Sequence, residues 1–260
     1  MIDTIKQKLS EIEKTHDVKI LFAAESGSRA WDFASPDSDY DVRFIYARPY
    51  TDYLKLNPSR DVIELPINDD LDINGWDVKK ALSLLNKSNI SIFEWFGSPI
   101  RYKTSEWSDR LEDALPDLFN PREAVYHYYR MAKKCDIAAL DIDHVSVKKY
   151  LYALRAGLAA DYIIRNKTVP PIKFFDLVCA YPDMNPDIRK MILYLRDLKS
   201  YSCEDNKVPK NLTLNQFIHT LIDNAHENVN LMRTPYSEDT FNAQMAYLDR
   251  MMLNALDIRE

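Results

Sequence analysis

The sequence predicts an α+β chain: an N-terminal module of mixed strands and helices over 1–104, then an all-helical module over 105–260. Three observations carry this. Up to about residue 100, short apolar runs with the look of strands alternate with helical spacing. Beyond Thr104 the periodic segments are all helical. Prolines then punctuate the second half at the positions where helices start or stop.

The elements follow in order. Ile2, Ile5, Leu9 and Ile12 recur at helical spacing, so 2–16 reads as an amphipathic helix. Val18 to Glu25 is a short apolar run, the mark of a buried strand. Residues 26–39 hold serines, Gly27, Pro36 and aspartates and read as a loop or a short turn of helix. Val42 to Tyr46 is the next strand. Asp61 to Ile67 and Leu71 to Asn74 form a hairpin joined through Asn68-Asp69-Asp70. Asp77 is placed to cap a helix from Val78 to about Lys87. Helices are then expected over 106–117, 121–141, 145–166, 186–199, 212–232 and 238–257. Breaks fall at Pro116, Pro121, Val169-Pro170-Pro171, Pro182, Pro186, Pro209 and Pro235. No internal repeat is visible.

Composition bounds the chemistry. Only 4 of the 260 residues are glycine, against about 18 at typical usage. They are Gly27, Gly75, Gly97 and Gly157, and no two are close. A dinucleotide-binding fingerprint needs three glycines in a short span and a Walker-type loop needs two, so both are excluded. Hydrophobic residues at 46% supply a sizeable core, and a net charge of −6 argues against a bulk-basic nucleic-acid binder. Cys135, Cys179 and Cys203 form no paired motif, no apolar run reaches the ~20 residues of a membrane span, and the N-terminus carries acid early. A reducing, cytoplasmic setting is expected. The histidines and cysteines show no zinc-ligand spacing.

The chemistry-bearing stretch runs from Ala24 to Val42. A strand ends in Gly27-Ser28, and after a short gap comes Asp39-Tyr40-Asp41 leading into apolar Val42. In an extended segment residues i and i+2 share a face, so Asp39 and Asp41 present two carboxylates together. Such a pair repels unless a cation lies between them. Hard oxygens suit Mg²⁺, which takes one or two carboxylates and completes its shell with substrate phosphates. Gly27 lets backbone approach a phosphate; Ser28, with amide groups at a helix start, would hold the terminal phosphates. Together they would clamp a nucleoside triphosphate for attack at the α-phosphorus. A third acid from a neighbouring strand would complete a two-metal site with ions about 4 Å apart. Asp72, between Leu71 and Ile73, is the best candidate and would also take the acceptor's proton. Glu64 and Asp77 compete, Asp77 reading more naturally as a cap and Glu64 as a solvated strand residue. Gly75 is expected at the turn into the next helix.

These motifs resemble the polymerase-β-like nucleotidyltransferase superfamily, with its Gly-Ser, its Asp-x-Asp and a third acid on a later strand. The stretch Gly27-Ser28-Arg29-Ala30-Trp31, then Phe33-Ala34-Ser35-Pro36-Asp37-Ser38-Asp39-Tyr40-Asp41-Val42-Arg43-Phe44, is most similar to the predicted nucleotidyltransferases associated with RNA ligase and RNA-repair operons. Leu71–Asp77, Ser91–Trp95 and Lys149–Arg155 extend the likeness to about residue 175, and the last stretch of chain matches nothing. Asp32 stands where the family has glycine. The resemblance implies that 1–104 is a nucleotidyltransferase catalytic domain. It implies catalytic and metal roles for Asp39, Asp41 and Asp72, with Mg²⁺ or Mn²⁺ as cofactor and a nucleoside triphosphate, ATP by preference, as substrate.

The helical module adds a candidate substrate surface. Lys148, Tyr152 and Arg155 fall on one helix face beside the apolar stripe Val147, Leu151, Leu154 and Leu158. A basic-aromatic face of this kind binds phosphate and stacks a base; the plain alternative is a solvated face, and Lys149 takes the role if the helix is rotated. Arg29 is a further phosphate candidate, Trp31 reads as packing, and His127 near Lys133 and Lys134 is a weaker case. The expected function is transfer of a nucleoside monophosphate to an acceptor hydroxyl with release of pyrophosphate. The resemblance suggests an RNA end. The acidic balance favours instead a protein or small-molecule hydroxyl, as in AMPylation. The remaining alternative is a non-catalytic nucleotide-sensing module, which the intact acids and Gly27-Ser28 argue against.

Overall fold

The computed structural model describes residues 1–66, 70–135, 143–202, 206–232 and 237–257. The Asn68-Asp69 connection, the expected helix beyond 135, Cys203 and Pro235 lie outside the described residues. The chain divides by its packing into two compact units. The first comprises Met1–Ala30, Asp39–Leu118 and Pro235–Glu260, and the second comprises Trp31–Ser38 and Phe119–Thr234. The sequence suggests a single boundary after residue 104; the packing groups segments that are distant in sequence.

In the first unit a five-stranded mixed sheet runs in the order β3 (Val62–Glu64), β4 (Leu71–Asp77), β2 (Tyr40–Ala47), β1 (Lys19–Ser26) and β5 (Arg101–Lys103). β2 and β4 are parallel and the other neighbours antiparallel. Alternation along the strands sorts their side chains between two faces. One face sends Val42, Phe44 and Tyr46 from β2, with Ile63 and Ile73, into a core closed by Ile5, Leu9 and Ile12 of α1 (Ile2–His16). Each such apolar side chain contributes about 1.5–3 kcal/mol by leaving water. Gly75 lies within β4 opposite Phe44, not at a turn as expected. A Cβ there would stand 2.2 Å from the Phe44 ring, so this glycine is a floor for an aromatic ring.

The other face of the sheet is apolar at one end. Phe22 stacks on Phe96 of α5 (Ile90–Phe96) with ring centroids 4.2 Å apart, and Trp76 meets Trp95 at 4.3 Å. Towards the starts of β2 and β4 the same face becomes polar, and the candidate site lies there. The unit is completed by the single turns α2 (Gly27–Ala30) and α3 (Tyr50–Tyr53), by α4 (Val78–Leu85), and by α6 (Glu106–Leu118) with α12 (Glu238–Ala255). Trp107 of α6 donates its Nε1–H to the Met251 carbonyl of α12 at 2.8 Å. Pro116, expected to end a helix, sits inside α6. It falls in the last turn, where the missing N–H costs one hydrogen bond and the helix has little left to run.

The second unit is built on α8 (Val147–Asn166), most of whose residues are buried. Around it lie α7 (Pro121–Lys134), α9 (Phe174–Cys179), α10 (Pro186–Tyr201) and α11 (Leu212–Leu231). Asn120, Asn185 and Asn211 cap α7, α10 and α11 with their side-chain oxygens, and proline opens α7 and α10 as position N1 favours. The region is not wholly helical: β6 (His144–Ser146) and β7 (Lys207–Pro209) form an antiparallel ribbon, so the span expected as helix from 145 opens as strand. Its short reach is below what residue periodicity reveals. The segment Trp31–Ser38 packs here too. The Trp31 carbonyl accepts from Phe174 N–H at 2.8 Å, and Phe33 meets Phe174 edge-on at 5.5 Å. Asp32 adopts φ 67°, the left-handed conformation that aspartate tolerates better than most residues. Among the described residues no helix is long and apolar enough to cross a membrane.

Candidate active site

β1 ends at Ser26, which stands opposite Asp41 of β2. The chain then turns through Gly27 at φ 62° into the single turn of α2. Glycine is required there twice over. The left-handed backbone favours it, and a Cβ would fall 2.1 Å from Asp41 Oδ2. The Gly-Ser turn and the second acid of Asp-x-Asp are therefore in direct apposition. Ser28 is buried. Arg29 binds the turn to the acidic segment: its Nε donates to the Asp39 carbonyl at 3.1 Å and its guanidinium lies 3.8 Å from the Tyr40 ring centroid.

Asp41 stands across from Asp72 in the parallel register of β2 and β4. Directly paired residues of neighbouring strands point to the same face at a strand spacing of about 4.8 Å, so the two carboxylates are neighbours. Asp39 lies just before β2, two residues from Asp41 and exposed. The competing acids are elsewhere. Glu64 stands opposite Asn74 and is engaged by Asn74 at 3.2 Å and by Arg60. Asp77 is at the far end of β4, where it accepts from Lys79 N–H and Tyr53 OH, both at 2.9 Å. Burial raises its pKa above the ordinary value. It is the cap of α4.

Two residues that the sequence reading did not assign hold the acids in place. Arg43, two residues beyond Asp41 on the same face, donates through one amino group to Asp41 Oδ1 at 2.9 Å and to Asp72 Oδ2 at 2.7 Å. Glu25, fully buried at the end of β1, accepts from the Asp41 backbone N–H at 2.7 Å through Oε1 and from Tyr102 OH through Oε2. Burial pushes the Glu25 carboxyl above its ordinary 4.5, and burial together with Glu25 pushes the Tyr102 hydroxyl up. Arg43 had a visible signal, since alternation from Asp41 puts it on the acidic face. For Glu25 the only signal was an acid closing an apolar run.

Among the described residues no three His, Cys, Asp or Glu side chains make a ready cage for a metal ion. The donor chemistry nevertheless fits a hard divalent cation of the Mg²⁺ type. Such an ion is commonly held by one or two carboxylates and completed by substrate oxygens, and Asp41 with Asp72 supplies two in register.

The residues expected on the helical face lie in the second unit, on α8. Lys148 lies 5.9 Å from the Tyr152 ring centroid, Tyr152 meets Trp31 edge-on at 5.3 Å, and the Arg155 guanidinium stacks 3.9 Å from Trp31. Lys148, Tyr152 and Arg155 thus do share a face, joined by Trp31. Arg155 is 2% exposed and belongs to the packed part of that cluster. Lys149 points away and is exposed. Lys199 of α10, also unassigned from sequence, is buried and donates to Ser35 Oγ at 3.3 Å.

Comparison with known proteins gives three findings. A model of the RNA repair pathway DNA polymerase beta family matches residues 1–253. The uncharacterized protein YcgL of Bacillus subtilis (strain 168) is 36% identical over 261 residues, covering 99% of this chain and 97% of that protein. The crystal structure of a nucleotidyltransferase-like protein from Exiguobacterium sibiricum aligns at 13% identity and TM-score 0.32, over 98% of this chain and 81% of the other.

Proposed function

The chain belongs to the RNA repair pathway DNA polymerase beta family, and from that premise we propose that it transfers a nucleoside monophosphate from a nucleoside triphosphate to a hydroxyl at an RNA end. The observation that carries this reading is the pairing of Asp41 with Asp72 beside a glycine that abuts Asp41. Asp39, Asp41 and Asp72 would hold Mg²⁺ or Mn²⁺, which when bound draws charge from the phosphate oxygens. The remaining work falls to the chain. Gly27 leaves backbone room for phosphate, and Ser28 and Arg29 are the nearest polar and cationic groups of the turn. Asp72 accepts the acceptor's proton. The hydroxyl oxygen bonds to the α-phosphorus, the bridge to the β-phosphate breaks, and pyrophosphate leaves with the bonding electron pair. On the second unit, Lys148 and Tyr152 are the residues proposed to meet nucleotide, with Arg155 stacked on Trp31 behind them and Lys149 off that face; ATP is the expected triphosphate.

The net charge of −6 favours a second reading, in which the acceptor is a protein or small-molecule hydroxyl. One experiment separates the two and tests the chemistry. Each α-labelled triphosphate is incubated with protein and Mg²⁺ against RNA, protein and small-molecule acceptors. Label transfer to RNA with pyrophosphate release is expected, reduced about 10²–10³-fold in Asp41→Asn, which removes a carboxylate that would hold the charge-neutralising metal. Triphosphate binding without transfer to any acceptor would sink the enzyme reading.

A further inference from the structure

The face of α7 built from Tyr126, Tyr129, Arg130 and Lys133 joins aromatic rings and cations with no acid among them. From Ala124 to Lys134 there is no acid, while the whole chain carries −6. The spacing i, i+3, i+4, i+7 puts the four on one helix face. Tyr126 is 41% exposed, and Arg130 and Lys133 are exposed beside it. The group is arranged as two like pairs. Arg130 donates to Tyr126 OH at 3.2 Å with its guanidinium 5.8 Å from that ring centroid. Lys133 donates to Tyr129 OH at 3.4 Å with its ammonium 5.8 Å from that ring centroid. His226 of α11 continues the series, its ring 5.1 Å from Tyr129 and inclined by only 20°.

We infer that this face, with His226, is a docking stripe for single-stranded RNA. The inference rests on the RNA-acceptor reading above and supplies the surface that reading lacks. Every base has a π-face, so bases can stack on exposed Tyr126 and His226 and beside half-buried Tyr129 regardless of sequence, while adjacent cations neutralise the phosphates between them. The two ring-cation pairs are offset by three residues, about 4.5 Å along a helix, on the scale of one nucleotide step. A duplex keeps its bases inside and has nothing to offer the rings, so the stripe selects single strands. An acidic peptide matches the cations but not the stack.

The test is fluorescence anisotropy of the full chain with a labelled single-stranded RNA decamer, its duplex, and unlabelled poly-glutamate as competitor. The single strand is expected to bind more tightly than the duplex and to resist poly-glutamate at equal charge. Tyr126→Ala with Tyr129→Ala weakens binding at least about tenfold, the effect of losing base stacking. Phenylalanine at both positions restores it, because the ring and not the hydroxyl does the work. Arg130→Ala with Lys133→Ala weakens binding and lowers the salt slope by about 1.4. Lys6→Ala with Lys14→Ala on α1, equal in charge, changes binding less than twofold. The proposal is overturned if the wild-type chain does not bind the single strand, if duplex or poly-glutamate competes equally, or if the alanine pairs that retain the thermal transition bind as the wild type does. Its failure is separable from failure of the transferase reading. Asp41→Asn should keep RNA binding while losing label transfer. Transfer to RNA that survives the stripe variants leaves the reading standing and removes the stripe.

Discussion

Arg43 spans the two acids from one side, and its charge sets how strongly they attract any other cation. Its guanidinium takes Asp41 Oδ1 and Asp72 Oδ2, so a divalent ion enters against a positive charge a few ångströms away. Arg43→Gln is therefore expected to bind Mn²⁺ about tenfold more tightly in the absence of nucleotide. Isothermal calorimetry measures this, and weaker or unchanged binding would contradict it. Glu25 makes a prediction about pH. In the unfolded chain it titrates near 4.5, and in the fold burial holds its pKa higher. The folded protein binds more protons over that interval. The stabilisation from protonated Glu25 is thus complete below 4.5 and is lost as pH rises through the folded value. In Glu25→Gln that loss should be absent, and the gap in urea midpoint between variant and wild type should widen in the variant's favour from pH 4.5 to 7. At this scale the sequence singles out Gly27, Ser28, Asp39, Asp41 and Asp72 by local spacing and strand context, and the fold brings Gly27, Asp41 and Asp72 together. Glu25 and Arg43 are not legible in this way, because their roles depend on which backbone and which oxygen the sheet register brings to them.

Elements are legible where they are long or, as with three-residue β3, lie in a longer apolar run. α1, β1, β2 and the β3–β4 pairing follow from apolar spacing, and Asp77 caps α4 as its position suggests. β5, β6 and β7 are three-residue strands, too short to show a period, and exist because a partner lies alongside. Gly75 shows the same limit from the other side. Read locally it marks a turn; in the sheet it lies under Phe44, a pairing visible only once β2 and β4 are in register. Gly75→Ala should force the Phe44 ring from its place in the core and cost about 1–3 kcal/mol, as overpacking does. Urea unfolding of the purified variant measures this, and a midpoint equal to wild type would show that the ring moves at no cost.

At the scale of the whole molecule, chain order and packing order diverge. The first unit draws α12 from the far end of the chain, and the second draws Trp31–Ser38 from the midst of the acidic motif. Composition along the chain carries no mark of such returns. A fragment ending at residue 104 would lack α6 and α12 and would leave Trp31 and Phe33 without Tyr152 and Phe174. It should unfold without a cooperative transition by circular dichroism, whereas a sharp transition near that of the full chain would make 1–104 an autonomous domain. Most loops absorb insertions and deletions because only their ends are fixed. The stretch between Gly27-Ser28 and Asp39 is held along its length, at the Trp31 carbonyl, the Phe33 ring and the Ser35 hydroxyl. Adding or removing one residue between these anchors would pull Trp31, Phe33 or Ser35 from its seat in the second unit. Away from those anchors, as at exposed Pro36, this segment should tolerate changes of side chain far better than changes of length, like a strap pinned at three points.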